Sequence, residues 1–406
     1  MKMNVPFSPP YIDDEVINEV LDSLNSGWIT TGPKVQQLEL AVAKLTRLEK
    51  VLCVNSATSG LMLALKWFGV GPNDEVIVPA YTYSATALAV YHLGAKPVIV
   101  DVKDDFTIDP EAILKAITPK TKAIIPVDIA GYPVDYKAVN NALLKSDKAK
   151  LFIPESEKQK KLGRILILSD AAHSLGAKYN SLPMGHSADL TVFSFHAVKN
   201  ITTAEGGAIA LNLPDCFDPD KEYKEMRLMS LNGQTKDAYT KTKAGGWKYD
   251  IVLGGLKVNM PDVLAAIGLA QIRKYEEFLL PERKRVAKTY EKLISQYSWA
   301  NLPKLENGNT ESLYHIYPLR IHNINEQQRD KVIEEITRHN VAVNVHFIPL
   351  PMLTFFKQMG YSINDYPNAY KNYCCEISLP IYPQLTNSQI QYVVETLVNA
   401  YNKVIL

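Results

Sequence analysis

Asp170, Ser194, His196 and Lys199 are the residues of this chain whose types and spacing best suit chemistry. Each adjoins a short apolar run: 165–168 stops just before Asp170, and 190–195 contains Ser194 and leads into His196 and Lys199. A third run, 208–211, follows the pair Gly206-Gly207, which lets the backbone turn. Such runs, bounded by turn residues, read as buried strands, and α/β sheets present their ligand-binding groups at strand carboxyl ends. A carboxylate and an amine at neighbouring strand ends are what pyridoxal phosphate chemistry requires. The amine forms a Schiff base, and the anion keeps the ring nitrogen protonated as an electron sink. A serine just before the lysine could bind the phosphate. An isolated lysine is ordinarily a surface group. Lys199 is instead followed by small and polar residues (Asn200, Thr202, Thr203, Ala204) and occupies no amphipathic helix face.

The elements that must hold these residues follow from composition and pattern. A chain of 406 residues accommodates one large domain and one smaller one. It is 47% hydrophobic and 21% charged with a formal net charge of +1, an ordinary globular balance that argues against nucleic acid or an anionic membrane as partner. The four cysteines, Cys53, Cys216, Cys374 and Cys375, show no CxxC spacing, and no metal ligand set is visible. With no apolar signal core and no run of about 18 apolar residues, the expectation is a cytoplasmic protein.

A short amphipathic helix up to about residue 24 precedes SGWITTGP (26–33), a turn-rich loop with Trp28, Thr30 and Thr31. A helical pattern over 35–45 leads to VLCVNSATSGLMLALKWFG, a strand (51–54) turning into a helix near Thr58. The small residues and hydroxyls of that turn suit either a plain capped helix start or phosphate bound at a helix N-terminus. Strands at 75–78, 97–102 and 123–127 alternate with helices, the rhythm of a mostly parallel sheet covered by helices. The charged segment 145–164 reads as a solvated excursion anchored by LFIP. Residues 215–249 are polar, glycine-punctuated and loop-like, which in a compact domain usually signals function. Beyond them come a long helical tract (263–296), a strand (314–321), a helix (326–339), a strand (341–346), a Pro-rich loop and a terminal helix from Thr386.

The strings SDAAHSLGA and FSFHAVKNITTAEGGAI closely resemble the DegT/StrS branch of sugar aminotransferases within the fold-type I pyridoxal phosphate enzymes. That resemblance implies a large domain (1–275) with a mostly parallel, seven-stranded-type sheet, its first 30 residues forming an N-terminal arm and substrate loop. A smaller C-terminal α/β domain (276–406) follows. It implies pyridoxal 5'-phosphate as cofactor, Lys199 as its anchor and proton carrier, and Asp170 on the ring nitrogen. Thr58, Ser59 and Ser194 would hold the phosphate, Tyr83 would stack on the ring, and His173 would lie near the ring oxygen. GGLKVNMPDVLAAIGLAQI resembles a family motif in which Asn259 would reach the neighbouring protomer's phosphate, so active sites would be shared in a homodimer. Trp28, Thr30, Thr31, His196 and His346 would border the sugar, although VNVHFIPLPMLTFF departs from the family's VHY-type string by placing Phe347 after His346. The implied reaction carries an amino group, by family analogy from L-glutamate, to a nucleotide-linked keto sugar. The rivals are a sugar dehydratase, which in this family carries histidine in place of the lysine, and a catalytically silent cofactor-binding regulator, against which the full set of candidate residues argues. No GxGxxG follows the first strand, so a nicotinamide dehydrogenase is disfavoured.

Overall fold

The computed structural model describes residues 3–235 and 248–406. Its organising element is a seven-stranded sheet: β1 (Lys50–Val54), β2 (Glu75–Pro79), β3 (Lys96–Val100), β4 (Thr121–Ile124), β5 (Leu166–Asp170), β6 (Leu190–Ser194) and β7 (Gly207–Leu211). The strands lie in the order β1-β7-β6-β5-β4-β2-β3, and only β7 runs antiparallel to its neighbours. The expected mostly parallel α/β sheet is the one observed. Alternate residues of each strand enter different cores. Leu52, Val54, Leu166, Leu168, Leu190 and Val192 join one, whereas Val51, Cys53, Ile165, Ile167 and Phe193 join the other. Burial on both faces explains why these strands read as continuous apolar runs rather than as alternation.

A third core is built from Val286, Tyr290, Leu319, Val332, Ile377 and Leu397 around a three-stranded antiparallel sheet (Ala300–Asn301, Tyr317–Ile321, Glu376–Leu379). Connections cross the expected 275/276 boundary. Val5 is buried in this C-terminal core, its N–H donating to Asn340 O and its carbonyl accepting from Ala342 N–H. In the other direction Leu350, Phe356, Tyr366 and Tyr373 pack into the first core.

Several elements depart from expectation for identifiable reasons. The 263–296 tract is two helices, Asp262–Arg273 and Leu280–Ile294, separated by a wide turn at Tyr275–Leu279. Pro281, at the start of the second helix, has no N–H to continue the ladder. The strand expected at 341–346 is absent, because Val341 pairs with Val5 and Asn344 with Ser378, two partners that share no ladder. The expected strand at 314–321 begins at Tyr317, since Tyr314 has a φ of 55°, outside strand geometry. Within 215–249, Pro219–Met229 is a helix, capped by the Asp218 carboxylate and carrying buried Met226 and Met229; residues 236–247 lie outside the described residues. The charged segment 145–164 is only partly solvated. Gln159 is fully buried and donates to the Phe68 carbonyl at the end of the helix Ala57–Phe68, as does Ser156 Oγ at 2.8 Å.

One cap is supplied across 230 residues of chain. The helix Pro33–Thr46 has Gly32 at its N-cap and therefore no side chain of its own for its free N–H groups. The buried Asp262 carboxylate accepts from the N–H groups of Gly32 (2.8 Å), Lys34 (3.1 Å) and Val35 (3.0 Å). Asp262→Ala leaves three donors unpaired, two of them buried. It is expected to cost at least about 2 kcal/mol, read as a lower denaturation midpoint at unchanged slope. A change below about 0.5 kcal/mol would contradict this role.

Candidate active site

Neighbouring parallel strands bring Asp170, at the end of β5, alongside Ser194, at the end of β6. Behind them the loop 195–206 is fastened by long-range bonds. Thr202 N–H donates to Gln271 Oε1 at 2.8 Å, and Asn200 Nδ2 donates to Leu313 O at 3.0 Å. The loop thereby presents Lys199 to a cavity of about 430 Å³ that also exposes Asp170, His173, Ser194, Thr58 and His346.

The cavity's electrostatics follow from enclosure. Burial lowers the Lys199 ammonium to about 8, with the Asp170 carboxylate pulling the other way. Asp170 is raised above the ordinary carboxylate range, chiefly by burial. Thr86 Oγ1 donates to it at 2.8 Å and Ala172 N–H at 3.2 Å. It is a carboxylate built to meet a cationic ring N–H, which would restore the charge balance that burial disturbs. His173 Nδ1 accepts the Ala130 N–H at 3.3 Å, so the neutral ring carries its hydrogen on Nε2. Burial keeps this imidazole neutral. His173 is thus a hydrogen-bond donor suited to a ring oxygen.

The same cavity holds an anion cradle. The helix Ala57–Phe68 opens at Ser56, and Ser56, Ala57 and Thr58 line the cavity, so its free N–H groups and dipole favour a phosphate. Ser194 Oγ already accepts the His196 N–H at 3.3 Å, which leaves its hydrogen to donate outward. Gly207 is required at this junction. A Cβ there would stand 2.7 Å from Ala57 N and 2.8 Å from Phe193 O, so only glycine lets β7 pass beneath the cradle. Amine, ring-nitrogen partner, ring-oxygen donor and phosphate cradle therefore all fit pyridoxal phosphate.

The remaining expected residues divide. Tyr83 lines the cavity and is 62% exposed, its ring 5.8 Å from that of Phe347, so a face is available for a planar cofactor. His196 sits at the rim with Nε2 3.6 Å from Glu205. Ser59 is not on the cavity wall; its N–H and hydroxyl are both bonded to Ser56 Oγ, and Ser56 takes the wall position instead. Trp28, Thr30 and Thr31 do not border this cavity within one chain. Asp262 pins their loop near Asn259, whose Nδ2 donates to Thr31 Oγ1 at 2.6 Å. Asn259 likewise does not line the cavity of its own chain, although it bridges to Val54, just before the Ser56–Thr58 turn. Among the described residues, no group of acidic, histidine or cysteine side chains could hold a metal ion, and no helix is long and apolar enough to cross a membrane.

Of the other cavity residues, Phe347 stood out in the sequence only as a departure from the VHY-type string, and Phe7, Ser8 and His315 carried no sequence signal. Phe7 and Ser8 arrive from the N-terminal arm, and the Phe7 ring stacks 5.4 Å from His346. His315 lies 4.5 Å from His173, ring to ring, and its Nδ1 is 2.8 Å from Asn200 Oδ1. Phe347 stacks 5.8 Å from His173. All three sites depend on contacts far apart in the chain.

Comparison with known proteins places this architecture. The profile of the DegT/DnrJ/EryC1/StrS aminotransferase family matches residues 10–398. The spore coat polysaccharide biosynthesis protein SpsC of Bacillus subtilis is 34% identical, over 96% of this chain and 95% of that protein. Spr1654 of Streptococcus pneumoniae, in its PMP form, superposes with a TM-score of 0.95 at 43% identity, covering 99% of this chain and 100% of that one. It is also known in a PLP form. Helicobacter pylori PseC, an aminotransferase involved in pseudoaminic acid biosynthesis, superposes with a TM-score of 0.84 at 26% identity, covering 99% and 100%. The chain belongs to the DegT/DnrJ/EryC1/StrS aminotransferase family.

Proposed function

We propose that this protein transfers an amino group from L-glutamate to a nucleotide-linked keto sugar, a 4-keto-6-deoxy hexose, in the cytoplasm, using pyridoxal phosphate. The product is an amino sugar for surface polysaccharide or glycan. The observation that carries the reading is the Lys199 amine, lowered to about 8, set in one cavity with the buried Asp170 carboxylate and a helix N-terminus. The cofactor, when bound, supplies an electron sink that makes the carbon bearing nitrogen acidic.

Each protein group then has a defined task. Asp170 would keep the cofactor's ring nitrogen protonated, and His173 Nε2–H would donate to its ring oxygen. Thr58, Ser194 and the N–H groups of the helix start would bind its phosphate. Lys199, neutral in an appreciable fraction near pH 8, would take a proton from the substrate carbon and deliver it to the cofactor carbon. Donor and acceptor occupy the same cavity in turn, which gives ping-pong kinetics. The SpsC and PseC relatives, with roles in spore coat polysaccharide and pseudoaminic acid biosynthesis, support a sugar acceptor. The cluster of Asn259, Thr31 and Trp28 outside the chain's own cavity supports a homodimer in which it serves a second copy's site.

A panel of UDP-, dTDP- and GDP-linked keto sugars assayed with L-glutamate tests the reading. Amination of a 4-keto-6-deoxy sugar with stoichiometric 2-oxoglutarate is expected. Cofactor binding without release of 2-oxoglutarate from any member would overturn it in favour of a silent regulator.

A further inference from the structure

His346 is held from behind by a buried pair of residues. Its backbone N–H donates to Glu376 Oε2 at 3.0 Å, and its ring Nδ1 lies 2.9 Å from Ser378 Oγ, whose hydroxyl in turn reaches Glu376 Oε1. Glu376 and Ser378 are fully buried on the same strand, Glu376–Leu379. Nδ1 is therefore occupied, and Nε2 is the ring nitrogen left for the cavity that His346 lines.

A serine hydroxyl has one hydrogen and can direct it one way at a time. With Glu376 ionised, Ser378 donates to it and must accept from His346 Nδ1–H, so Nε2 offers a lone pair. With Glu376 protonated, Oε2 still accepts the backbone N–H, so the acid hydrogen on Oε1 donates to Ser378. Ser378 then donates to a bare Nδ1, and Nε2 carries the hydrogen. The imidazole is neutral in both arrangements.

We infer that Glu376, Ser378 and His346 form a proton relay on the cavity wall, through which a carboxylate that never touches substrate stores one proton during amino-group transfer. This rests on the cavity being the site of that transfer. An incoming ammonium must lose a proton before it can react, and the carbonyl oxygen of the acceptor must gain protons to leave as water. In the first event the substrate N–H breaks and Nε2–H forms, Nδ1–H passes to Ser378 Oγ, and the serine hydrogen passes to Glu376 Oε1. The carboxylate becomes a carboxylic acid and no electrons change hands. The reverse sequence returns the proton to the departing oxygen. His346 is the member that meets substrate, and Ser378 and Glu376 are positioning residues.

The surroundings support both states of the relay. Burial raises Glu376 to about 8, against the hydrogen bonds from Ser378 and His346 N–H and the charges of Arg329 and Arg320. Tyr81 and Cys375 also face Glu376. Burial and the nearby Lys199 charge lower His346 to about 4, so its ring stays neutral from about pH 5 upward. The neighbouring His173 and His315 are likewise held neutral by burial.

The test is nitrogen NMR of the full-length holoenzyme labelled with ¹⁵N-histidine, with the His346 signals assigned by their loss in His346→Gln. The expected result is Nε2–H at pH 6.5 and Nδ1–H at pH 9.5. Glu376→Gln, whose amide donates to Ser378, should fix Nε2–H at both values, and Ser378→Ala should abolish the switch. In both variants kcat should fall at least about tenfold, with KM for the keto sugar changed less than about threefold. One tautomer at both pH values in the wild type, or a wild-type kcat in both variants, would overturn the relay. The NMR arm needs no substrate, so failure of the sugar reading appears separately, as turnover with no member of the panel. Should Glu376→Gln not fold, the wild-type spectra and Ser378→Ala still decide.

Discussion

Replacing Lys199 with alanine is expected to lower amino-group transfer by at least about 10⁴-fold while leaving the protein folded. Loss of the proton carrier alone removes the upper part of a typical general acid–base contribution, and loss of the cofactor's anchor adds to it. The fold should tolerate the change because the amine is not used structurally. Burial depresses its ammonium from 10.5 to about 8, which means the charged form opposes folding. That opposition is complete below about pH 8, fades between 8 and 10.5, and is absent above. The variant apoprotein should therefore be at least as stable as wild type at pH 7, with the two curves converging toward pH 10.5. A denaturant titration at both pH values, beside the turnover assay, checks both halves. Retained turnover, or a variant less stable at pH 7 than at pH 10.5 relative to wild type, would contradict the assignment.

Asp170→Asn is the second large effect. The amide has nearly the same shape and its oxygen can still accept the Thr86 hydroxyl, which stands 2.8 Å from the native carboxylate. What disappears is the negative charge that, on the proposed reading, would keep the cofactor's ring nitrogen protonated. Cofactor should still bind through the phosphate cradle and Lys199, but kcat should fall about 10²–10³-fold, the usual consequence of losing one preorganised electrostatic partner. Steady-state rates with the bound-cofactor absorbance measured in parallel check this. A kcat within about threefold of wild type would contradict it.

Much of this site was legible in the sequence because its chemistry sits at the ends of strands buried on both faces. The runs ending at Asp170 and Ser194 announce themselves by apolarity, and the turn between β1 and its helix announces itself through Ser56–Ser59 hydroxyls. What stayed hidden depends on long-range closure. Nothing near Phe7 in the chain indicates that it will stack on His346, and His315 acquires its orientation from Asn200, 115 residues away. Ser59 and Ser56 are alike by type, and only their positions at the helix start decide that Ser56, the N-cap, faces the cavity while Ser59 turns back and donates its N–H to Ser56 Oγ. The expected strand at 341–346 had a suitable composition. It failed because the N-terminal arm claims Val341, a partner that local patterning does not register. The position of Trp28, Thr30 and Thr31 off the cavity of their own chain has the same cause, since their loop is fixed by Asp262 from a distant helix.

The most direct test of Lys199 as the cofactor's anchor is borohydride reduction of the holoenzyme followed by peptide mass spectrometry. The account predicts that the reduced cofactor remains attached to the peptide containing Lys199, and that the Lys199→Ala protein retains no covalent label. Label on another lysine, such as Lys257, or on none would contradict it.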